Sequence, residues 1–399
     1  MPFRAAKPFA TTVSFRPLLG VRNRRHIAVA RLVAPRRIPA MVVVITLAMA
    51  TLAGCSGGGA SDASADDLDP DEQFDELAYT LSTIARQAEV ETTIEADPEP
   101  PEEEQGPVFP LSGAELTDSE MGTAPALMVK IDNHPKARPP VGIDQADIVF
   151  DYRAEGITRL AAVFHSQRPE AVGPVRSSRT ADFNLLRGLG NPLFAASGGN
   201  DNVMAGLASV EAQVHTAISN RAYYRDGSRP RPHNMFIAPA DMYALAAGSS
   251  TPPPQWFQYR RASEELPSTA TPANGVVAVN FTEGPRVTFE WDPDAGWRRF
   301  QDGAPHQVAD GTQLAPENVA ILVSTYEPSP ADSRSPELQS TGAGELVVLT
   351  DGHVITGRWE RPNAFDVPLL LDGEGNMIHL TPGQTFVLWP EAGQIDLGG

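Results

Sequence analysis

The sequence predicts an α+β protein in which a mixed α/β N-terminal domain is followed by a smaller β-rich C-terminal domain. Two observations lead to this prediction. Between residues 108 and 270, apolar runs typical of strands alternate with segments whose apolar residues recur at helical spacing. Between residues 271 and 399, short runs rich in Val, Thr, Phe and Trp are separated by Asp-Gly turn sequences, which favour hairpins.

Residues 1–54 are predicted to be a signal peptide with an extended n-region. They carry nine Lys and Arg residues and no acidic residue, and an apolar run at 41–52 leads to Leu52-Ala53-Gly54-Cys55. This stretch is typical of a bacterial lipobox, in which a peptidase cuts before the cysteine and the thiol receives a diacylglycerol. Because the run is too short to span a bilayer, we expect Cys55 to anchor an extracytoplasmic protein to the cell membrane through lipid.

Residues 55–107 are predicted to form an acidic, disordered tether. Positions 56–108 hold sixteen Asp and Glu residues against one basic residue, Arg86. The whole chain has 31 basic and 50 acidic residues and a formal net charge of −19. Such a charge opposes contact with phosphate backbones, so we expect no nucleic-acid partner. Cys55 is the one cysteine, so its lipidation would leave no thiol for a disulfide, a nucleophile or a metal.

The domain at 108–270 is predicted to contain five strands and three helices. The strands are expected at 126–131, 147–152, 160–165, 193–196 and 235–237, and the helices at 178–189, at 201–210 and from Pro239 onward. A stretch rich in Pro, Ser and Thr follows and sets the predicted boundary near 270. The domain at 271–399 is predicted to be built from strands at 276–281, 286–291, 297–301, 319–325, 345–349, 354–359 and 386–389.

Three polar loops follow predicted strands of the first domain. One contains Asn133 and His134, the second runs from His165 to Arg176 and Arg179, and the third begins at Ser197. If the strands are parallel, the loops share the edge of the sheet where ligands bind, and two of the loops lead into helix N-termini. The two arginines could then hold a carboxylate or phosphate, or they could pair with acids such as Glu155 to hold strands together.

A second polar segment, 223–234, combines aromatic and basic residues and ends in His233-Asn234. Aromatic rings, guanidinium groups and amides are suited to a sugar or peptide ligand, and a solvated basic loop is the alternative. Nothing in the chain indicates a catalytic triad, a metal site or a cofactor. None of the possible nucleophiles Ser177, Ser178 and Ser197 lies in a Gly-x-Ser-x-Gly elbow, and the His-x-x-x-His spacing is absent. Ser197-Gly198-Gly199 matches neither a dinucleotide motif nor a phosphate loop.

Several of these segments together resemble the YerB-like bacterial lipoproteins. The resemblance lies in Asn133-His134-Pro135-Lys136-Ala137-Arg138-Pro139, Glu155-Gly156-Ile157-Thr158-Arg159, Gly173-Pro174-Val175-Arg176-Ser177-Ser178-Arg179 and Pro232-His233-Asn234, in that order. It is strong over 108–245 and weaker in the β-rich tail. It implies an exported lipoprotein with a mixed α/β domain and a β-rich domain, and it brings no catalytic residue with it.

The sequence therefore predicts a membrane-anchored lipoprotein of the cell envelope that binds an anionic or polyhydroxylated ligand, such as a glycan or peptide. The predicted ligand-binding residues are Arg176, Arg179, Asn133, His134, Glu155, His233 and Asn234. One alternative is an envelope glycan or peptidoglycan hydrolase with Glu155 or Asp151 as general acid or base. Another is a protein-interaction scaffold with an apolar patch on the β-rich domain. The sequence leaves open whether the protein is an enzyme.

Overall fold

The computed structural model describes residues 106–218, 220–248 and 250–398. The predictions for the signal peptide, for Cys55 and for nearly all of the 55–107 tether lie outside these residues. Within the described part, no helix is both long enough and apolar enough to cross a bilayer.

The described residues form short helices and many strands. The α-helices are α1 (Ser119–Thr123), α2 (Ala181–Arg187), α3 (Asp201–Leu207) and α4 (Pro239–Tyr243). The strands of the first half are β1 (Leu127–Ile131), β2 (Ile148–Arg153), β3 (Thr158–Phe164), β4 (Leu193–Ala196), β5 (Gln213–Thr216), β6 (Tyr223–Arg225) and β7 (Met235–Ile237). Those of the second half are β8 (Thr271–Pro272), β9 (Val277–Asn280), β10 (Arg286–Asp292), β11 (Gly296–Gln301), β12 (Ala304–Pro305), β13 (Asn318–Leu322), β14 (Tyr326–Ser329), β15 (Asp332–Leu338), β16 (Gly342–Thr350), β17 (His353–Arg361), β18 (Leu369–Asp372), β19 (Thr385–Trp389) and β20 (Ile395–Asp396).

One 11-stranded sheet runs through both halves of the described chain. Its strand order is β18-β17-β16-β13-β19-β2-β3-β1-β4-β5, and β8 pairs with β17. Strands β1, β4 and β5 are parallel to one another, as are β2, β19 and β13. Because β3 is antiparallel to both β1 and β2, these six strands all end at the same edge of the sheet.

The large sheet is buried on both faces, which explains the nearly continuous apolar runs of its central strands. Along β2, Phe150 packs with α2, α3 and Trp256, whereas Val149 packs on the opposite side with α4 and strands β9 and β10. On that second side lies a 5-stranded sheet of order β12-β11-β10-β9-β20. Two hairpins, β6-β7 and β14-β15, stand apart from the two larger sheets.

The N-terminal half is richer in strands than the predicted mixed α/β domain, and this corrects the predicted fold class. The helix predicted at 178–189 is only Ala181–Arg187, and the helix predicted at 201–210 ends at Leu207. Ser178 and Arg179 stay outside the helix because Asp182 accepts hydrogen bonds from the Ser178 hydroxyl and the Arg179 amide. Strands β5 and β6 are short and polar, so apolar periodicity did not indicate them.

The expected sharing of one sheet edge holds for two of the three polar loops. Strands β1 and β4 are parallel, so Asn133 and Ser197 follow them at the same edge. His165 lies at the opposite edge, because β3 runs antiparallel to β1. The chain then returns, and the Arg176 amide donates to the carbonyl of Lys130 at 2.8 Å, which places Arg176 beside the end of β1.

Candidate functional site

A cluster of charged and imidazole side chains lies where β1 and β4 end, around the buried carboxylate of Asp132. We call it the Asp132 cluster, and it comprises Asp132, His134, Arg159, Arg176 and His233. Main-chain hydrogen bonds fix its frame: the Asp132 amide donates to Pro174 O at 2.8 Å, and the Ser197 amide donates to Arg176 O at 3.0 Å. The cluster thus joins four segments that are far apart in the sequence.

Three groups that can carry positive charge contact the carboxylate of Asp132. Arg159 Nη1 lies 2.8 Å from Oδ1, while His233 Nδ1 lies 2.7 Å and Arg176 Nε 3.6 Å from Oδ2. Asp132 is 2% exposed, so these contacts form away from bulk water, where charges interact more strongly. The single negative charge of Asp132 therefore cannot neutralise both Arg159 and Arg176.

The guanidinium of Arg176 has no hydrogen bond to any residue that the structure describes. Its nearest carboxylate oxygen, Asp132 Oδ2 at 3.6 Å, already accepts a hydrogen bond from His233. Two buried atoms of neighbouring side chains, Arg159 Nε and Asn133 Oδ1, also have no partner. Buried polar groups normally find a partner, so these two atoms leave hydrogen-bonding capacity unused next to Arg176.

The two histidines of the cluster stack on each other. The ring centroids of His134 and His233 are 4.6 Å apart and the ring planes differ by 18°. Burial lowers the pKa of His134, and the neighbouring His233 lowers it further. The Lys136 amide donates to Nδ1 of His134 at 3.1 Å, so the neutral ring of His134 carries its proton on Nε2.

Arg179 and Glu155 form a bidentate ion pair beside the cluster. Arg179 Nε and Nη2 lie 2.5 and 3.0 Å from the two oxygens of Glu155, and the Ser335 hydroxyl donates to Oε1 at 2.7 Å. Burial opposes ionisation of Glu155, but the hydrogen bonds from Arg179 and Ser335 outweigh it and lower the pKa to about 2. Arg179 is therefore paired within the protein, whereas Arg176 keeps donors available.

A second buried cluster, formed by Lys130, Tyr152 and Asp182, lies next to the Asp132 cluster. Lys130 Nζ lies 2.8 Å from Asp182 Oδ1, both side chains are fully buried, and Tyr152 hydrogen-bonds to both. Burial lowers the pKa of Lys130 to about 8, although Asp182 acts in the opposite direction. Asp182 also accepts from Ser178 at 2.9 Å and from the Arg179 amide at 2.7 Å. This network positions the loop that carries both arginines.

The structure does not place every sequence-predicted residue in one pocket. Asn234 holds its own loop, because its side chain accepts from Arg225 at 2.7 Å and donates to the carbonyl of Asp226 at 3.1 Å. Asn133 donates to the Thr158 hydroxyl at 2.9 Å. Among the predicted residues, His134, Arg176 and His233 meet at Asp132, while Arg179 and Glu155 pair next to them.

Asp132, Arg159 and Lys130 were not among the ligand-binding residues predicted from the sequence. The available signals were an acid directly after a buried strand and a lysine inside the apolar strand Leu127–Ile131. A buried charge in such a strand needs a charged or hydrogen-bonding partner, so the lysine was a candidate for the site. Only the fold identifies that partner.

Asp151, the other carboxylate considered for acid–base chemistry, lies outside the Asp132 cluster. Arg299 Nη2 lies 2.6 Å from Asp151 Oδ2, and both side chains are fully buried. Arg299 also hydrogen-bonds to His306 and Gln301. Among residues 106–218, 220–248 and 250–398, no group of three His, Cys, Asp or Glu side chains is arranged to hold a metal ion.

Comparisons with known proteins identify the family to which the chain belongs. Residues 111–251 match the N-terminal domain, and residues 277–387 the C-terminal domain, of the family described as "Protein of unknown function (DUF3048)". The chain is 31% identical over 295 residues to the Bacillus subtilis (strain 168) protein named "Putative lipoprotein YerB", which covers 70% of this chain and 84% of that protein.

The crystal structure of YerB from Bacillus subtilis is also similar, with a TM-score of 0.62 and 25% sequence identity. The match covers 73% of this chain and 99% of that one. The resemblance expected from the sequence motifs is therefore confirmed, and so is the layout of two family domains. The chain therefore belongs to the DUF3048 family.

Proposed function

We propose that the protein is a lipid-anchored lipoprotein of the cell envelope that binds an anionic or polyhydroxylated ligand at the Asp132 cluster. The lipobox at Leu52-Ala53-Gly54-Cys55 and the name of the Bacillus subtilis relative support the anchor. Diacyl modification of Cys55 would hold the protein at the membrane surface. The charges at the sheet edge support an anionic ligand.

The observation that carries the proposal is the guanidinium of Arg176, which makes no hydrogen bond to a described residue and lies 3.6 Å from a carboxylate that Arg159 and His233 already contact. The edge of the sheet gathers Lys130, Arg159, Arg176 and Arg179 against Asp132, Asp182 and Glu155, so cations exceed carboxylates. The rest of the chain is strongly acidic, and a local excess of positive charge then attracts a small anion selectively. A guanidinium offers two parallel donors that fit a carboxylate or phosphate.

The contacts of the candidate acid–base residues favour binding over glycoside hydrolysis. Glu155 is paired with Arg179, and its pKa of about 2 leaves no proton to donate near neutral pH. Asp151 is fully buried against Arg299. A glycosidase needs two carboxyl groups that face one open cleft, and these two carboxylates are each bound to an arginine instead.

Isothermal titration calorimetry on the full-length protein in detergent tests the proposal. The probes are inorganic phosphate, N-acetylmuramic acid as a carboxylated sugar, and N-acetylglucosamine as its neutral counterpart. A charged hydrogen bond contributes about 1.5–3 kcal/mol, so Arg176→Gln should weaken binding of the anionic probes by about tenfold or more.

Arg298→Gln is the matched control, since Arg298 is part-exposed and lies 3.3 Å from a single carboxylate, that of Asp292. This variant should bind like the wild type. Equal affinities of the wild type and Arg176→Gln, or no binding of any probe by the wild type, would contradict the proposal.

A further inference from the structure

We infer that the Asp132 cluster hydrolyses phosphodiesters, with His233 as the general base that activates water. This inference rests on the proposed function, because it uses the same anion site, and it adds a reaction and a substrate class to that site. The two stacked imidazoles carry their protons on different ring nitrogens.

Asp132 fixes the proton of the His233 ring. The carboxylate accepts at 2.7 Å from Nδ1, so in the neutral ring Nδ1 carries the proton and Nε2 has the free lone pair. No residue in the described part of the chain hydrogen-bonds to Nε2 of His233. A buried carboxylate behind an imidazole orients the ring and stabilises the imidazolium that forms when the ring takes up a proton. Asp132 is thus a positioning residue and His233 the base.

His134 has the opposite arrangement. Its Nδ1 accepts from the Lys136 amide, so its Nε2 is a donor, and its lowered pKa keeps the ring neutral near pH 7. The stacked pair therefore presents one acceptor and one donor, although both residues are histidines. A neutral imidazole donor is suited to a hydrogen bond with an oxygen on which negative charge develops.

The charges of the cluster select the substrate class. Arg159 and Arg176 both reach Asp132, and neither is fully neutralised by that single carboxylate. Guanidinium groups are the usual partners of the charged oxygens of a phosphoryl group in its transition state. A phosphodiester carries a permanent negative charge that two arginines can bind. A neutral carboxylic ester carries no such charge.

The reaction balances with water as the only co-substrate. The water oxygen forms a bond to phosphorus while its proton passes to Nε2 of His233. The bond between phosphorus and the leaving oxygen breaks, and the leaving alkoxide takes a proton from solvent. The hydroxide so formed removes the proton from the His233 imidazolium, which returns the site to its starting state.

Release of p-nitrophenol from bis(p-nitrophenyl) phosphate by the full-length protein tests the inference, with EDTA present to suppress contaminating metal-dependent enzymes. General base catalysis contributes about 100-fold or more, so His233→Ala should lower kcat by at least that factor. Added imidazole should restore part of the rate. Asp132→Asn should lower kcat without raising KM, because it removes a negative charge beside the two arginines that bind the anion. His379→Ala, which lies outside the cluster and pairs with Glu264, should keep the wild-type rate.

Calorimetry with inorganic phosphate on the same samples separates the two proposals and shows that His233→Ala is folded. Phosphate binding without hydrolysis by the wild type would overturn the phosphodiesterase and leave the binding site in place. So would an unchanged rate in His233→Ala, or hydrolysis of p-nitrophenyl acetate but not of the diester. Absence of phosphate binding by the wild type would overturn the phosphodiesterase, and absence of binding of every probe named above would remove the proposed function as well.

Discussion

Because Glu155 is paired with Arg179, we expect the free energy of unfolding to depend on the ionisation of Glu155 and therefore on pH. The pKa of Glu155 falls from 4.5 to about 2 on folding, because hydrogen bonds from Arg179 and Ser335 outweigh the cost of burial. The folded state therefore binds this proton less readily than the unfolded state does. Its contribution to stability is fully present above about pH 4.5 and is lost as the pH falls toward 2.

The magnitude follows from the size of the pKa change. Each pKa unit corresponds to about 1.4 kcal/mol, which would give about 3.5 kcal/mol for a fully buried group. The Glu155 side chain is 33% exposed, so solvent screens part of the interaction, and we expect about 2 kcal/mol. Glu155→Gln should remove this amount at pH 7.

Urea denaturation of the wild type and Glu155→Gln between pH 7 and pH 2 measures the effect. The difference in free energy of unfolding should be about 2 kcal/mol at pH 7 and should decline to nearly zero at pH 2, where the wild-type carboxyl is protonated too. Other carboxyl groups titrate in both proteins and cancel in the difference. A difference that does not change with pH would refute the assignment of the stabilisation to the charge on Glu155.

Two further predictions concern the buried ion pair on the other face of the sheet and the membrane anchor. Asp151→Asn should lower the free energy of unfolding by about 3–5 kcal/mol in urea denaturation, because it leaves Arg299 buried without its charged partner. The control Asp302→Asn, in the exposed turn after β11, should lower the free energy of unfolding by less than about 1 kcal/mol. A small effect of Asp151→Asn would show that Gln301 and His306 suffice to hold Arg299. The wild-type protein should incorporate labelled palmitate in its bacterial host, and the mature protein should begin at Cys55. The Cys55→Ser protein should remain unlabelled and uncleaved. Labelling of the Cys55→Ser protein would contradict the prediction that Cys55 is the lipidated residue.

The sequence by itself determined the family and the strand-rich second half, and it selected three side chains, His134, Arg176 and His233, that the structure brings together around Asp132. Strands buried on both faces appear as plain apolar runs, so β1, β2 and β4 were predicted within a few residues of their observed bounds. The Asn133-His134 and Pro232-His233-Asn234 motifs marked segments that do contribute to the cluster. Hydrophobic patterning is local, and so these features can be recognised without the fold.

Only the tertiary structure decided which charges meet. Arg176 and Arg179 are separated by two residues in the same loop and look equivalent in the sequence. Arg176 nevertheless lies 3.6 Å from a carboxylate that it shares with Arg159 and His233, whereas Arg179 has a bidentate ion pair with Glu155. The antiparallel direction of β3 moved His165 away from the site and brought Arg159 to it. Pairing between side chains depends on strand direction and on distances between remote segments, because a charge stabilises only the groups within a few ångströms of it.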